Sequence, residues 1–540
     1  MNKKILRLAI PNIISNLSVP LLSSVDTAIV GRLDHVYYLG AIAVGGMIFN
    51  IIYWGFGFLR MGTTGLTAQA FGSENRSEEA SVLGRAMLVA LGGSMLLLLL
   101  QVPIIDLCFR IIDSSAEVEE YARVYFMVRI WAAPATLSLY AIQGWFLGMQ
   151  NARYPMILTV FVNLVNIGCT FYFVYGQGMS VDGVALGTVC AQYSGLAMGL
   201  LLFFRKYGHV ARSFSMRAIS QVAELKRFFM VNRDIFIRTL CLIFAFSFFT
   251  AKSAEAGDQI LAVNAILLQL WHILAYGVDG FAYAAEALVG RYTGAGDRKN
   301  LRLAIRYNLW WGLGLGVIVS VVYAIFPEQI LYIFTDKEDV IALALVYFVW
   351  TAMAPLINSF CFIWDGVYIG ATATKPMRDS MLVASFLIFL PVYYRLKDAP
   401  MMGELVREAD MIPDKIISSP ARRARETAEL FAEGAGFKGN LIFDENLYGG
   451  SAETYRKIIS AYSGSQTVML IGHNPVIEEF LGVMCNGHVS APLRMPTAAL
   501  ACLELTAPAI SEIYPGSGVL KWFLIPKVVK KIRGEQGSVS

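Results

Sequence analysis

The chain has 540 residues, 56% of them hydrophobic and 16% charged, with a mean hydropathy of +0.56 and a net charge of +4. Soluble globular proteins run at about 45–50% apolar and about 25% charged, so a water-soluble globular main body is excluded and most of the chain is solvated by lipid; the small net charge says nothing about nucleic acid. The seven cysteines are scattered with no Cys-x-x-Cys pair, which leaves neither a disulfide nor a zinc framework.

A bilayer core of about 30 Å needs roughly 20 apolar residues per helix. Such runs lie near 8–30, 38–60, 84–104, 122–146, 155–176, 183–204, 232–251, 260–288, 304–326, 340–369 and 379–394, and predict eleven spans. Met-Asn-Lys-Lys leads straight into the first, with no Ala-x-Ala cleavage site. Asp26 lies in that span, six residues before Arg32 and so roughly 9 Å deep. An intramembrane carboxylate is costly unless it faces a polar cavity, where it can hold a proton or help ligate Na⁺. An interfacial Asp near a helix end is the plainer alternative. Trp54, Phe56, Phe58 and Trp131 suit organic cations through cation–π contact, although interfacial packing explains them as well. The eighth span carries His272, read as a packed or hydrogen-bonded residue, Asp279 as a protonatable candidate, and Glu286 nearer the inner surface. Asp365 sits ten residues before Lys375, roughly 15 Å deep, and is a second protonatable candidate.

Taking the N-terminus as cytoplasmic, about twenty cationic residues fall in inner loops, the segment Arg205 to Arg238 among them, against about four outside. The chain also repeats itself. Gly72 and Gly294, and Gly148 and Gly370, stand 222 residues apart; Pro134 and Pro355, and Pro155-Met156 and Pro376-Met377, stand 221 apart. PATLSLYAIQGWFLGMQNARYPM and PLINSFCFIWDGVYIGATATKPM share one P…G…G…PM frame. Coincidences at one offset point to duplication of a six-helix unit. An even helix count makes the halves parallel repeats, with substrate bound between them and alternating access by rocking. A duplicated bundle with no transport role is the other reading.

VDTAIVGRL (25–33) followed by LGAIAVG (39–45) resembles the opening of the multidrug and toxic compound extrusion (MATE) family; FAYAAEALVGRYTGAGD (281–297) and WDGVYIGATATKPMRDSML (364–382) resemble its DinF branch. The resemblance spans nearly all of 1–394. It implies an all-α polytopic membrane protein of two six-helix lobes, here 1–204 and 205–394, the second lacking its last helix. It also implies export of bulky, often cationic organic molecules driven by H⁺ or Na⁺, with no other cofactor and no nucleic-acid partner, from a multi-pass monomer in the bacterial inner membrane. By motif, Asp26 matches a first-helix carboxylate of a cation site. Gln143, Asn163, Asn166 and Thr188 supply neutral oxygens around it, or else knit helices together. Thr170 stands where many members carry an Asp, which tilts the coupling ion toward H⁺.

At Tyr394 the composition turns polar. Helical runs then alternate with short apolar strands over 395–540, as in an α/β domain. SSPARRARETAEL and GHNP resemble the SixA-like phosphohistidine phosphatases of the histidine phosphatase superfamily. That resemblance implies phosphate binding by Arg423 and a second catalytic histidine in His473. The family's nucleophile is a His following an Arg on the first, central strand; the histidines here are 35, 209, 272, 473 and 488, and none follows an Arg. The expectation is an incomplete, inactive domain with open strand edges that favour aggregation, fused near 394/395 to a truncated transporter and left on the outer side of the membrane by eleven spans from a cytoplasmic N-terminus. Two alternatives stay open. One is a membrane-anchored phosphohistidine phosphatase; the other is a lipid-linked oligosaccharide flippase, which would favour a cationic central cavity.

Overall fold

In lipid every backbone polar group must be satisfied within its own segment, so the apolar runs fold as helices. The computed structural model describes residues 1–32, 35–112, 114–255, 257–462, 464–488, 494–496, 498–526 and 528–529; the side chains of residues 21, 23, 24, 26, 255 and 394–397 lie outside that description. The chain divides into two units, Met1–Leu382 and Val383–Ser540. The first holds α1 (Asn2–Val30), α2 (Val36–Gly55), α3 (Phe58–Gly72), α4 (Arg76–Leu99), α5 (Gln101–Ile111), α6 (Ala116–Arg129), α7 (Ala133–Gly148) and α8 (Arg153–Phe171). It continues with α9 (Val181–Ala211), α10 (Met216–Ile219), α11 (Val222–Glu255), α12 (Asp258–Gly294), α13 (Arg298–Ile325), α14 (Pro327–Tyr332), α15 (Glu338–Gly370) and α16 (Thr374–Leu382).

Ten helical stretches among the described residues are long and apolar enough to cross a membrane. They coincide with the second to eleventh predicted spans, and α1, 29 residues long, occupies the first. Several run longer than the hydropathy suggests: α2 and α3 form one stretch, Val36–Gly72, and the last extends over Thr374–Glu408. Arg60, which ends a predicted span, therefore lies well inside one. Apolar side chains such as Leu91, Leu99, Val317, Val346 and Trp350 are exposed on the helix surfaces, as a lipid-facing belt requires.

The duplication is visible in backbone contacts. A Cβ added to Gly144 would strike the carbonyl oxygen of Arg60, and one added to Gly366 that of Ala282. Gly148 abuts Thr64 as Gly370 abuts Glu286, and Gly72 abuts Arg291 as Gly294 abuts Gln69. Each pair is related by the same shift of 222, so both lobes cross α3 on α7 and α12 on α15 in one way, with only a hydrogen to spare. The caps repeat too: Asn75 accepts from the Glu78 amide at the start of α4, and Asp297 from the Asn300 amide at the start of α13. Helix α1 packs across both lobes. Ile5, Leu8 and Ala9 share a core with Leu274, Val278 and Ala285, while Ser18 meets Asn163 of α8.

The second unit contains α17 (Leu390–Glu408), β1 (Lys415–Ser418), α18 (Arg422–Ala435), β2 (Ile442–Phe443), α19 (Ala452–Ser460), β3 (Val468–Ile471), α20 (Val476–Asn486), β4 (Leu500–Leu505) and β5 (Gly518–Leu524). The parallel order is β2-β1-β3, with Ile417 opposite Ile442 and Ser418 opposite Ile471; β4 and β5 form an antiparallel pair. Strand β1 is flanked on both sides, and both faces are covered: Ile416 packs with Met402, Phe431 and Ile471, and Ile417 with Tyr455, Phe480 and Met484. Helices α17 and α18 approach so closely that a Cβ on Gly403 or Gly434 would meet the other helix's backbone.

Candidate functional site

Helix α12 carries Asp279, Tyr283 and Glu286 on neighbouring turns, since residues three and four apart share a helical face. Helix α3 brings Arg60 against them: its guanidinium lies over the Tyr283 ring at 4.1 Å and 3.8 Å from Glu286, whose side chain is 1% exposed. Helix α15 supplies Asp365, and Arg238 of α11 donates a hydrogen bond to it from 127 positions away in the chain. Asp279 lies within the electrostatic reach of Arg60, Asp365 and Arg238. Tyr140 of α7 lies within reach of Arg60 and of Arg129, the last residue of α6. Arg129 donates to the Tyr125 hydroxyl at 2.5 Å and lies over the Phe49 ring at 4.7 Å. The result is a polar seam through the membrane-spanning segments: one arginine–carboxylate pair within the second lobe, Arg238 with Asp365, one between the lobes, Arg60 with Glu286, and an aromatic-seated arginine, Arg129, on the first. Charges at this depth persist only when paired or turned toward a polar cavity.

The candidates in the first lobe behave differently. Asn166 donates to Thr188 at 3.0 Å, Thr170 donates to Asn166 at 3.4 Å, and Thr188 donates to the Val184 carbonyl at 3.2 Å. All three are buried, so this is a closed hydrogen-bonded string between α8 and α9. Asn163 instead donates to the carbonyl and hydroxyl oxygens of Ser18 at 3.2 and 3.1 Å. Gln143 is half-buried on α7. The Asp26 side chain, around which these were expected to gather, lies outside the described residues. His272 is hydrogen-bonded as expected, its Nδ1 2.8 Å from the Leu268 carbonyl oxygen.

One reading needs correction. Arg238 is not a loop residue: it sits inside α11 with its side chain 10% exposed. Glu286, read as nearer the inner surface, is a buried carboxylate 3.8 Å from Arg60. Arg60 and Arg129 went unmarked altogether. The usable signal for Arg60 was the apolar, small-residue run GTTGLTAQAFG that follows it, which carries the span onward.

This fold and seam can be set against known proteins. The model of the MatE family matches residues 11–172 and 235–394, one segment in each lobe. The chain belongs to the MatE family. It is 40% identical over 388 residues to DNA damage-inducible protein F of Escherichia coli (strain K12), covering 71% of this chain and 84% of that one. It is 27% identical over 411 residues to multidrug and toxin extrusion protein 1 of Homo sapiens, covering 74% and 70%. Among solved structures, a MATE transporter in a bent conformation superposes with a TM-score of 0.66 at 19% identity, over 71% of this chain and 85% of that one. A MOP superfamily transporter from Pyrococcus furiosus, noted for a binding pocket of reverse polarity, gives 0.64 at 19% identity, over 72% and 86%. This MatE chain is thus a multi-pass membrane transporter rather than an enzyme.

In the tail, the carboxyl ends of β1 and β3 lie side by side and bring two motifs to one sheet edge. His473 Nε2 is 2.9 Å from the hydroxyl of Ser419, a fully buried residue, and Tyr448 meets the His473 ring edge-on at 5.7 Å. Arg423 is exposed on the first turn of α18.

Proposed function

We propose that this MatE transporter exports bulky organic compounds, often cationic, in exchange for protons, by alternating access of its lobes. The observation that carries this reading is the arginine–carboxylate seam. Asp365 is held by Arg238, so a proton on its carboxylate frees an arginine and changes what the cavity offers a substrate. A sodium ion would have to displace a guanidinium from the same oxygens, which favours H⁺. Thr170 in place of a carboxylate weighs the same way. Asp26, Asp279 and Asp365 are the proposed protonation sites. Gln143, Asn163, Asn166, Thr170 and Thr188 form the scaffold around Asp26, in a cytoplasmic-N-terminus, inner-membrane monomer whose lobes are 1–204 and 205–394. Transport in proteoliposomes under a pH gradient alone and under a Na⁺ gradient alone tests the coupling. Robust Na⁺-driven export, or unchanged export by Asp26→Asn, overturns it.

A flippase of lipid-linked oligosaccharides gains some support from the intramembrane Arg60, Arg129 and Arg238. The paired carboxylates weigh against it. For the tail we infer phosphate binding without turnover by Arg423 and His473, because no histidine in the sequence follows an arginine as the nucleophile of the resembled family does. Hydrolysis of a phosphohistidine peptide by the full chain that vanishes in His473→Ala would overturn this.

A further inference from the structure

The end of the first unit richest in Lys and Arg, assigned above to the cytoplasm, contains a cleft of about 290 Å³ enclosed by α1, the α7–α8 turn, α9 and α12. Four of its lining side chains are cationic: Lys4, Arg7, Lys206 and Arg291. No carboxylate lines it, and none of the four makes an ion pair among the described residues.

Hydroxyls and ring faces contact three of these cations, Lys4, Lys206 and Arg291, without neutralising them. Lys4 donates to the Tyr292 hydroxyl at 3.0 Å. Lys206 lies over the rings of Tyr154 and Tyr207 at 5.2 and 5.3 Å, and Arg291 over Phe71 at 5.3 Å. The polar floor is equally ordered: Gln150 donates to the Ala287 carbonyl at 2.8 Å, and Asn151 to the Tyr207 hydroxyl at 3.2 Å. Four like charges converging on one concavity repel one another and focus a positive potential that a single anion relieves.

We propose that this cleft is a phosphate site. The ligand is a phosphate group, whether on the headgroup of an anionic inner-leaflet phospholipid or free in solution; basic pockets between helices on the cytoplasmic side recognise such headgroups. Gln150 and Asn151 belong to the first lobe and Arg291 to the second, and α1 packs on both. A bound phosphate therefore ties the lobes together at the end where Gly72 meets Arg291 and Gly294 meets Gln69. It stabilises the arrangement closed on this side, independently of which substrate is exported.

The experiment compares thermal unfolding midpoints of the full chain in three settings: nanodiscs of phosphatidylcholine, nanodiscs containing phosphatidylglycerol, and detergent with added inorganic phosphate. The variant is Arg7→Gln/Arg291→Gln. The control is Lys3→Gln/Arg302→Gln, which removes the same charge without touching the cleft. The expected result is stabilisation by several degrees in wild type and control, and loss of at least half that shift in the cleft variant. A response confined to phosphatidylglycerol assigns the site to a lipid headgroup, and one to inorganic phosphate assigns it to a free anion. If the double variant fails to fold, Lys206→Gln carries the same comparison. An absent shift, a full shift in the cleft variant, or an equal loss in the control overturns the proposal.

Discussion

Gly144 of α7 and Gly366 of α15 abut matching backbone oxygens in their lobes, yet the residue before each differs: Gln143 in the first lobe, Asp365 in the second. The same holds along the facing helices. Arg60 corresponds to Ala282, Gly57 to Asp279 and Thr64 to Glu286. Duplication preserved the places where helix backbones touch, because any side chain there separates the helices. Charge was free to diverge at those contacts and beside them, because the contacts hold only backbone atoms and leave the side chains of Arg60 and Glu286 unconstrained. The scaffold is symmetric while the chemistry is not.

The largest test of that asymmetry is Arg238→Ala. It strands Asp365 without its partner inside the membrane-spanning segments and should cost about 3–5 kcal/mol, whereas Gln143→Ala at the related position should cost about 1 kcal/mol or less. Thermal unfolding of the purified protein reads both, and Arg238→Gln/Asp365→Asn should recover most of the loss. Equal costs for the two single variants would break the comparison. The symmetry itself is tested by Gly144→Val and Gly366→Val. Each should lose about 1–3 kcal/mol through overpacking, and by similar amounts; a large difference would mean that the lobes do not share their crossing.

A smaller effect is expected in the hydrogen-bonded string of the first lobe. Asn166→Ala should cost about 0.6 kcal/mol with export retained, and loss of export with unchanged stability would move Asn166 from scaffold to coupling. The smallest effect concerns the matched caps. The Asn300 backbone amide, then its side chain, holds the Asp297 carboxyl below its usual range. That cap is at full strength above the unfolded-state pKa of about 3.9 and weakens as pH falls through the lower folded value; Asn75 does not titrate. The stability advantage of wild type over Asp297→Ala should therefore shrink on acidification, while that over Asn75→Ala stays level. Parallel curves from pH 5 downward would refute the cap's role.

Much of this was legible in the chain. Long apolar runs have to become helices in lipid, so the spans could be read directly, and the 222-residue offset exposed the duplication because the glycines it relates are fixed by backbone contact. SSPARR and GHNP marked the tail's sheet edge for the same local reason. The order of its parallel strands was not legible: that β1 lies between β2 and β3 is a matter of long-range pairing.

The sequence alone determined the membrane character, the place of the ten apolar helical stretches and the repeat. Only the tertiary structure decided which charges meet. Arg238 and Asp365 are separated by 127 positions, and Arg60 and Glu286 lie in different lobes. Periodicity records which face of a helix is apolar, but not which distant helix lies opposite that face. An arginine inside a span can therefore look like part of a basic loop until its carboxylate partner is placed beside it.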